Sequence, residues 1–390
     1  MPTGAARVRG LNAAPLHGDL QKFTELCQTT EDPRRRKLYV YGGMHPKDFK
    51  RNIPSNDFYV CDMDKMEFTN LTDSLTYAVP GDPFAVAACW RKTKRLPALG
   101  EPGIAFAEIS GIPVVFLFGG HDLDRDVPSS KLIAVNTLHL EWFYVDFEPV
   151  QKPRMVAPRL KPAMVAYNEK LYIFGGVPSY DEPRKQAYHR SYSIAAFQPG
   201  KLKWKWIAAD EPYPNELQQN FRSGVMVHGG QAILLAPGKV FRDSERVIDF
   251  TSKSLYYFIP RKNIFERLRD TGVQLPRDVH WYYLRAYDPD ALQKDAVYNP
   301  TTPSAILCTW VPDIEHPRDY LTVEGWRLFL PPDQPERMEC FNMKTEVSKL
   351  DLDLQRFTLV GKRMFLMGSG GEKVNGEAMC DTYVEFSVDE

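Results

Sequence analysis

The chain has 390 residues, 43% hydrophobic and 12% aromatic, with 49 basic and 50 acidic side chains and a formal net charge of -1. That length suits a few ordinary domains or one large repeat array. The balanced charge supplies no field for steering onto nucleic acid or an acidic membrane, and no apolar run approaches the roughly 18 residues of a membrane helix.

The N-terminus, Met1 to Gly10, lacks the apolar centre of a secretory signal. Cys27, Cys61, Cys89, Cys308, Cys340 and Cys380 lie far apart with no C-x-x-C pair, which reads as free thiols in a reducing compartment. The expected location is the cytoplasm. Arg91-Lys-Thr-Lys-Arg95, a basic run, makes the nucleus a second one.

In chain order, the first strong signal is Lys37-Leu-Tyr-Val-Tyr-Gly-Gly43, an apolar strand ending in two glycines. It returns as Phe116-Leu-Phe-Gly-Gly120 and Lys170-Leu-Tyr-Ile-Phe-Gly-Gly176. Each double glycine is followed by a polar loop, a second strand and an aromatic-bearing third strand. These are Phe58–Asp62 then Phe68, Leu132–Val135 then Trp142, and Tyr192–Phe197 then Trp204 and Trp206. An apolar stretch such as Ala163–Tyr167 precedes each pair, so each unit has four strands and no helical period. Later units are looser. Ala232–Gly238 keeps one glycine, Ser304–Thr309 has none, and Arg363–Gly371 restores them before a last strand, Tyr383–Val388.

The strand with its double glycine, the following strand and the downstream tryptophan resemble the kelch repeat family, whose unit is one propeller blade of about 50 residues. The resemblance implies an all-β, six-bladed kelch-type β-propeller forming a single domain over residues 1–390. Its blades are expected at 20–75, 100–150, 158–210, 220–262, 275–352 and 353–390. The loose fourth and fifth units leave five or seven blades as alternatives. Leu20–Thr24 matches Leu354–Thr358, where the sixth unit begins, so residues 20–26 read as the first strand of blade one. Residues 6–12 are then left to supply the outer strand that blade six lacks and to close the ring.

The repeat glycines Gly42, Gly43, Gly119, Gly120, Gly175 and Gly176 are structural in this reading. No Gly-x-Gly-x-x-Gly or Gly-Lys-Ser/Thr pattern opens a helix after them. Trp142, Trp204 and Trp206 read as packing between blades, with no choice between the last two. Arg34-Arg-Arg-Lys37 runs straight into a strand and reads as a solvated turn.

Some kelch-like propellers are enzymes. Galactose oxidase resembles the family in fold and holds copper with two tyrosines, two histidines and a cysteine. Tyr188-His189 echoes that set without partners that can be placed beside it. The iron motif of nitrile-specifier proteins fails at Gln274, where a histidine is needed. His45 and His121 follow their double glycines closely and could share a metal. The simpler reading pairs each with a nearby aspartate, such as Asp48 or Asp122. No catalytic residue and no cofactor is expected.

The connections after the double glycines, 44–56, 121–131, 177–191 and 312–337, are long and would emerge on one face. Phe49, Arg51, Tyr180, Arg184, Tyr188, Tyr320 and Trp326 are the candidate partner-binding residues, being of the types that dominate protein interfaces. The expected function is a non-catalytic scaffold or adaptor whose partners are other proteins, with no membrane or nucleic acid. The alternative is an enzyme or small-ligand protein with a site at the channel mouth.

Overall fold

A computed structural model describes residues 8–10, 14–19, 21–22, 27–46, 52–78, 95–122, 124–148, 156–178, 189–200, 203–217, 220–227, 230–237, 254–268, 283–286, 304–312, 320–329, 337–346, 356–360, 363–368, 373–374, 377–380 and 382–388. Among them the fold is all-β, and the only helical element is a single 3-10 turn at Thr72–Ser74. Among the described residues no helix is long and apolar enough to cross a membrane.

Four short strands come first: β1 (Val8–Gly10), β2 (Ala14–Pro15), β3 (His17–Gly18) and β4 (Gln21–Lys22). Sheet 1 contains β5 (Gln28–Asp32), β6 (Lys37–Tyr41), β9 (Phe58–Asp62) and β10 (Glu67–Asn70), with the hairpin β7 (Met44–Pro46) and β8 (Asn52–Pro54) between β6 and β9. After β11 (Thr76–Tyr77) and β12 (Leu99–Gly100), sheet 2 uses β13 (Gly103–Ile109), β14 (Ile112–Phe118), β17 (Leu132–Asn136) and β18 (Glu141–Tyr144). The short β15 (His121–Asp122) and β16 (Val127–Pro128) lie between β14 and β17.

Sheet 3 is β19 (Ala163–Tyr167), β20 (Lys170–Phe174), β21 (Ser191–Gln198) and β22 (Lys203–Pro212). Sheet 4 is β23 (Phe221–Val227), β24 (Ala232–Pro237), β25 (Tyr256–Ile259) and β26 (Ile264–Arg267). Sheet 5 is β27 (Tyr283–Ala286), β28 (Ser304–Pro312), β29 (Tyr320–Phe329) and β30 (Arg337–Glu346). Sheet 6 has β31 (Arg356–Val360), β32 (Arg363–Gly368) and β35 (Thr382–Val388), with the hairpin β33 (Lys373–Val374) and β34 (Glu377–Cys380) before its last strand. Within each sheet, consecutive strands pair antiparallel.

The apolar runs are continuous because their strands are covered on both faces. Side chains alternate across a strand, so one strand feeds two cores. Along β14, Val114, Phe116 and Phe118 join the core shared with sheet 3, whereas Val115 and Leu117 join the core shared with sheet 1. In β6, Leu38 and Val40 pack with Phe365 and Met367 of sheet 6, while Tyr39 and Tyr41 face sheet 2. In β20, Leu171 and Ile173 face sheet 2, and Tyr172 and Phe174 face sheet 4. Leu284 and Ala305 of sheet 5 join a core with Leu234 and Tyr257 of sheet 4. The first strands follow the same succession: β13 lies beside β5 and β19, β23 beside β19 and β27, and β27 beside β31.

The tryptophans fill these inter-sheet cores. Trp142 is fully buried and meets Tyr77 at 4.8 Å between ring centroids. Trp204 is buried, edge-on to Phe116 at 5.2 Å. Trp206 is only partly buried and stacks on Phe147 at 4.4 Å. The choice that the sequence left open therefore falls on Trp204 as the deeper anchor. Burying one such side chain is worth roughly 1.5–3 kcal/mol or more.

Several boundaries differ from expectation. The first strand of sheet 1 is Gln28–Asp32, not residues 20–26; Gln21 and Lys22 pair instead with Cys380 and Met379 of β34. Sheets 3 and 4 run on to Pro212 and Arg267. The stretch 312–337, expected as one loop, contains the ten-residue strand β29. A strand does form within residues 6–12: Val8–Gly10 lies antiparallel to Phe386–Val388.

The outer edges are covered in a repeated way. After β10 the chain adds β11 in parallel to β18, the edge of the next sheet. After β18, Phe147 makes a parallel bridge to Trp204 in β22. After β1, the chain adds β3 in parallel to β10.

Candidate binding face

Antiparallel order places the connection from second to third strand, and the linker entering the first strand, at the same end of each sheet. Three double glycines set that end in one geometry. The first glycine donates its N–H to a carbonyl at the start of the third strand or one residue before it: Gly42 to Asp57 at 2.9 Å, Gly119 to Lys131 at 3.1 Å and Gly175 to Ser191 at 3.0 Å. The second accepts from an N–H two residues earlier: Gly43 from Ser55 at 2.8 Å, Gly120 from Ser129 at 2.8 Å and Gly176 from His189 at 2.6 Å.

All six glycines have positive φ. A Cβ at Gly119 would lie 2.3 Å from the Arg159 carbonyl oxygen, and one at Gly175 would lie 2.0 Å from Asn220 Oδ1. At Gly119 the obstruction is backbone and at Gly175 the Asn220 amide would have to move, so both positions are held to glycine by positive φ and by the next sheet's entering linker.

The equivalence exposes one departure. Ser55 and Ser129 each accept, through Oγ, the N–H two residues on, at 3.0 and 3.2 Å. His189 takes that position in sheet 3. Its Nε2–H donates to the Pro158 carbonyl at 3.0 Å. Burial, helped by the neighbouring Arg159 charge, lowers its pKa to about 4, so the ring is neutral near pH 7.

Below it lies a buried polar network. Arg159, fully buried, donates to the Gly175 carbonyl at 3.0 Å and pairs with Asp210. Burial lowers the Arg159 pKa, and Asp210 opposes that shift. Asp210 also accepts from the Ala157 N–H at 2.6 Å and from Ser193 Oγ at 3.1 Å. Beside it, Lys161 and Glu101 form a second buried ion pair at 2.5 Å. Both residues have left-handed φ, +55° and +51°, and each precedes a proline entering a first strand. Sequence reasoning missed all four charges; for Glu101 and Lys161 the repeated charged-residue–proline step before the first strand was the available signal.

On sheet 2, His121 Nε2 lies 3.0 Å from Asp126 Oδ1. The histidine thus has an aspartate partner, but a different one from those expected. His45 sits in β7, opposite Ile53. Among the described residues no three histidine, cysteine or acidic side chains gather as a metal site. Lys131 Nζ stands 4.5 Å from the Tyr144 ring centroid, and burial raises the pKa of that tyrosine.

Of the candidate partner residues, Phe49, Arg51, Tyr180, Arg184 and Tyr188 lie outside the described residues, as do 91–94 of the basic run. Tyr320 and Trp326 are corrected from loop to strand, because 321–329 pairs with β28 and 320–329 with β30. Tyr320 opens β29 at the candidate face; Trp326, opposite Leu307 and Cys340, lies mid-strand. The Arg34–Lys37 turn is also more than solvated. It lies at the opposite end, where Arg34 and Arg35 both reach Glu108 of sheet 2, while Lys37 pairs with Asp62 at 2.6 Å.

No protein-family description matches the chain, and no curated protein matches it. Among solved structures it is similar to one titled "Structure of YjhT", at 11% identity over 93% of this chain and 94% of that one, with a TM-score of 0.48. No residue role is carried over from it.

Proposed function

We propose that this chain is a six-bladed kelch-type β-propeller, closed by β1, that binds other proteins through the face bearing the double-glycine turns. The observation that carries the reading is the shared hydrogen-bond geometry of those turns, which fixes both ends of three second-to-third-strand connections at one end of neighbouring sheets. Closure is supported by the packing of Phe365 and Met367 against Leu38 and Val40. It is supported again by the chain after β1, which covers the next sheet's edge as the chain after β10 does.

The buried charges of this face are engaged in holding its linkers, and His189 is neutral, so its chemistry suits presentation of loops. The protein would act in the cytoplasm as a scaffold or adaptor, without a cofactor. Purification with a tagged chain tests this. A stoichiometric partner should be lost on Tyr180→Ala with Arg184→Ala and retained on Lys65→Ala with Lys262→Ala at the opposite end. Retention in both cases, or about one copper or iron per chain by elemental analysis, overturns it.

A further inference from the structure

We propose that the strands β1 to β4 act as a strap whose seating on sheet 1 and the ordering of the β33–β34 pair on the double-glycine face are one coupled transition. Calling that face a partner face rests on the function proposed above; the coupling does not.

The segment makes four strand pairings in succession. β1 and β2 lie along β35 of sheet 6. β3 crosses to the outer edge of sheet 1, where His17 N–H donates to the Met66 carbonyl at 3.0 Å and Asp19 N–H to the Phe68 carbonyl at 2.7 Å. Asp19 Oδ2 also accepts from the Asn70 N–H at 3.0 Å. β4 then pairs with β34, which the chain places between the last two strands of sheet 6.

The partner of β4 is weak without it. Among the described residues β33 and β34 pair through Lys373–Ala378 and Val374–Glu377 alone. A two-stranded hairpin so short is marginal in water, and a third strand is what stabilises it. That third strand is the strap. Seating β3 therefore holds β4 near the hairpin at high effective concentration, and whatever orders the hairpin must in return favour the seated strap. A partner gripping the ordered hairpin would tighten the junction of the first and last sheets, and a loosened strap would alter the face it reads.

Gly18 gives a handle remote from the hairpin. Its φ is +81°, and a Cβ there would meet the Phe68 carbonyl oxygen at 2.2 Å. Gly18→Val should unseat β3. Hydrogen exchange read by mass spectrometry should then quicken several-fold at 377–380 while β20 stays at the wild-type rate. Faster exchange at His17 and Asp19 with 377–380 unchanged overturns the coupling.

Should Gly18→Val loosen the whole protein, Gln21→Cys decides. Gln21 lies directly opposite Cys380, a geometry of roughly 4.5–5.5 Å between Cα atoms that accepts a disulfide. The Gln21→Cys variant oxidised onto Cys380 should slow exchange at His17 and Asp19 across the strap. Failure to cross-link, or a cross-link that leaves those two amides unchanged, overturns the proposal. None of these readouts needs a partner, so a failed partner search leaves them standing.

Discussion

Asp210 holds Arg159 from a sheet edge: the arginine enters on the linker to sheet 3, and the carboxylate that neutralises it comes from β22, the last strand of that sheet. The pair ties the entry of the sheet to its outer strand. The same arginine backbone receives the Gly120 N–H of sheet 2 at 2.9 Å.

Asp210→Asn should therefore destabilise the protein strongly, because a buried guanidinium is left without its counter-charge. Breaking such a pair costs about 3–5 kcal/mol, and the partial exposure of Asp210 puts the effect at the lower end. Arg159→Met with Asp210→Leu should recover part of the loss. Urea denaturation of the three variants checks this; equal stability of wild type and Asp210→Asn would count against it.

His189 predicts a pH dependence. Its folded pKa, about 4, lies below the ordinary 6.5, so between those values the unfolded chain binds more protons. The contribution is complete above about pH 6.5 and is lost as pH falls toward 4, with a ceiling of about 3 kcal/mol. His189→Ser, which restores the residue type of Ser55 and Ser129, should fold and flatten that part of the stability profile. Denaturation midpoints from pH 7 to pH 4.5 would show it.

Glycine substitutions separate backbone conformation from space. Gly111 has φ +82° with nothing within 4 Å of a Cβ, whereas Gly119 has φ +73° with a carbonyl at 2.3 Å. Gly111→Ala should cost about 1–2 kcal/mol, from the left-handed backbone alone. Gly119→Ala should cost clearly more, since the linker must also shift. Thermal unfolding of the two proteins makes the comparison.

Trp204→Ala should cost about 3–5 kcal/mol, as for a large aromatic removed from a core. Trp206→Ala should cost less, because its ring is partly exposed and leaves a shallower void. An equal loss at both positions would contradict the packing described.

Legibility in the sequence followed apolarity. β6, β14 and β20 announced themselves because both faces are buried, and their glycines because the chain must turn against a neighbour. β5 was misplaced because Gln-Thr-Thr-Glu-Asp carries no apolar alternation; Gln28 and Thr29 are only partly buried, and Asp32 is buried by bonds to the Arg34 and Arg35 amides. β29 was missed because no double glycine marks the strand before it. Within the candidate face, the turns were readable from local spacing. Arg159 and Asp210 were not: they stand 51 positions apart, and a pairing at that range leaves no local pattern. Arg34 and Arg35 were misjudged likewise, since Glu108 lies in another unit.

Parity along β14 has a consequence for how this chain tolerates change. Odd and even positions serve different neighbours, so deleting one residue inside the strand would hand Phe116 and Phe118 to sheet 1 and Leu117 to sheet 3. Both interfaces would be mis-filled at once. Lengthening at strand ends leaves the frame untouched, so variation in length should collect in connections, while the strand interiors admit substitution but not slippage.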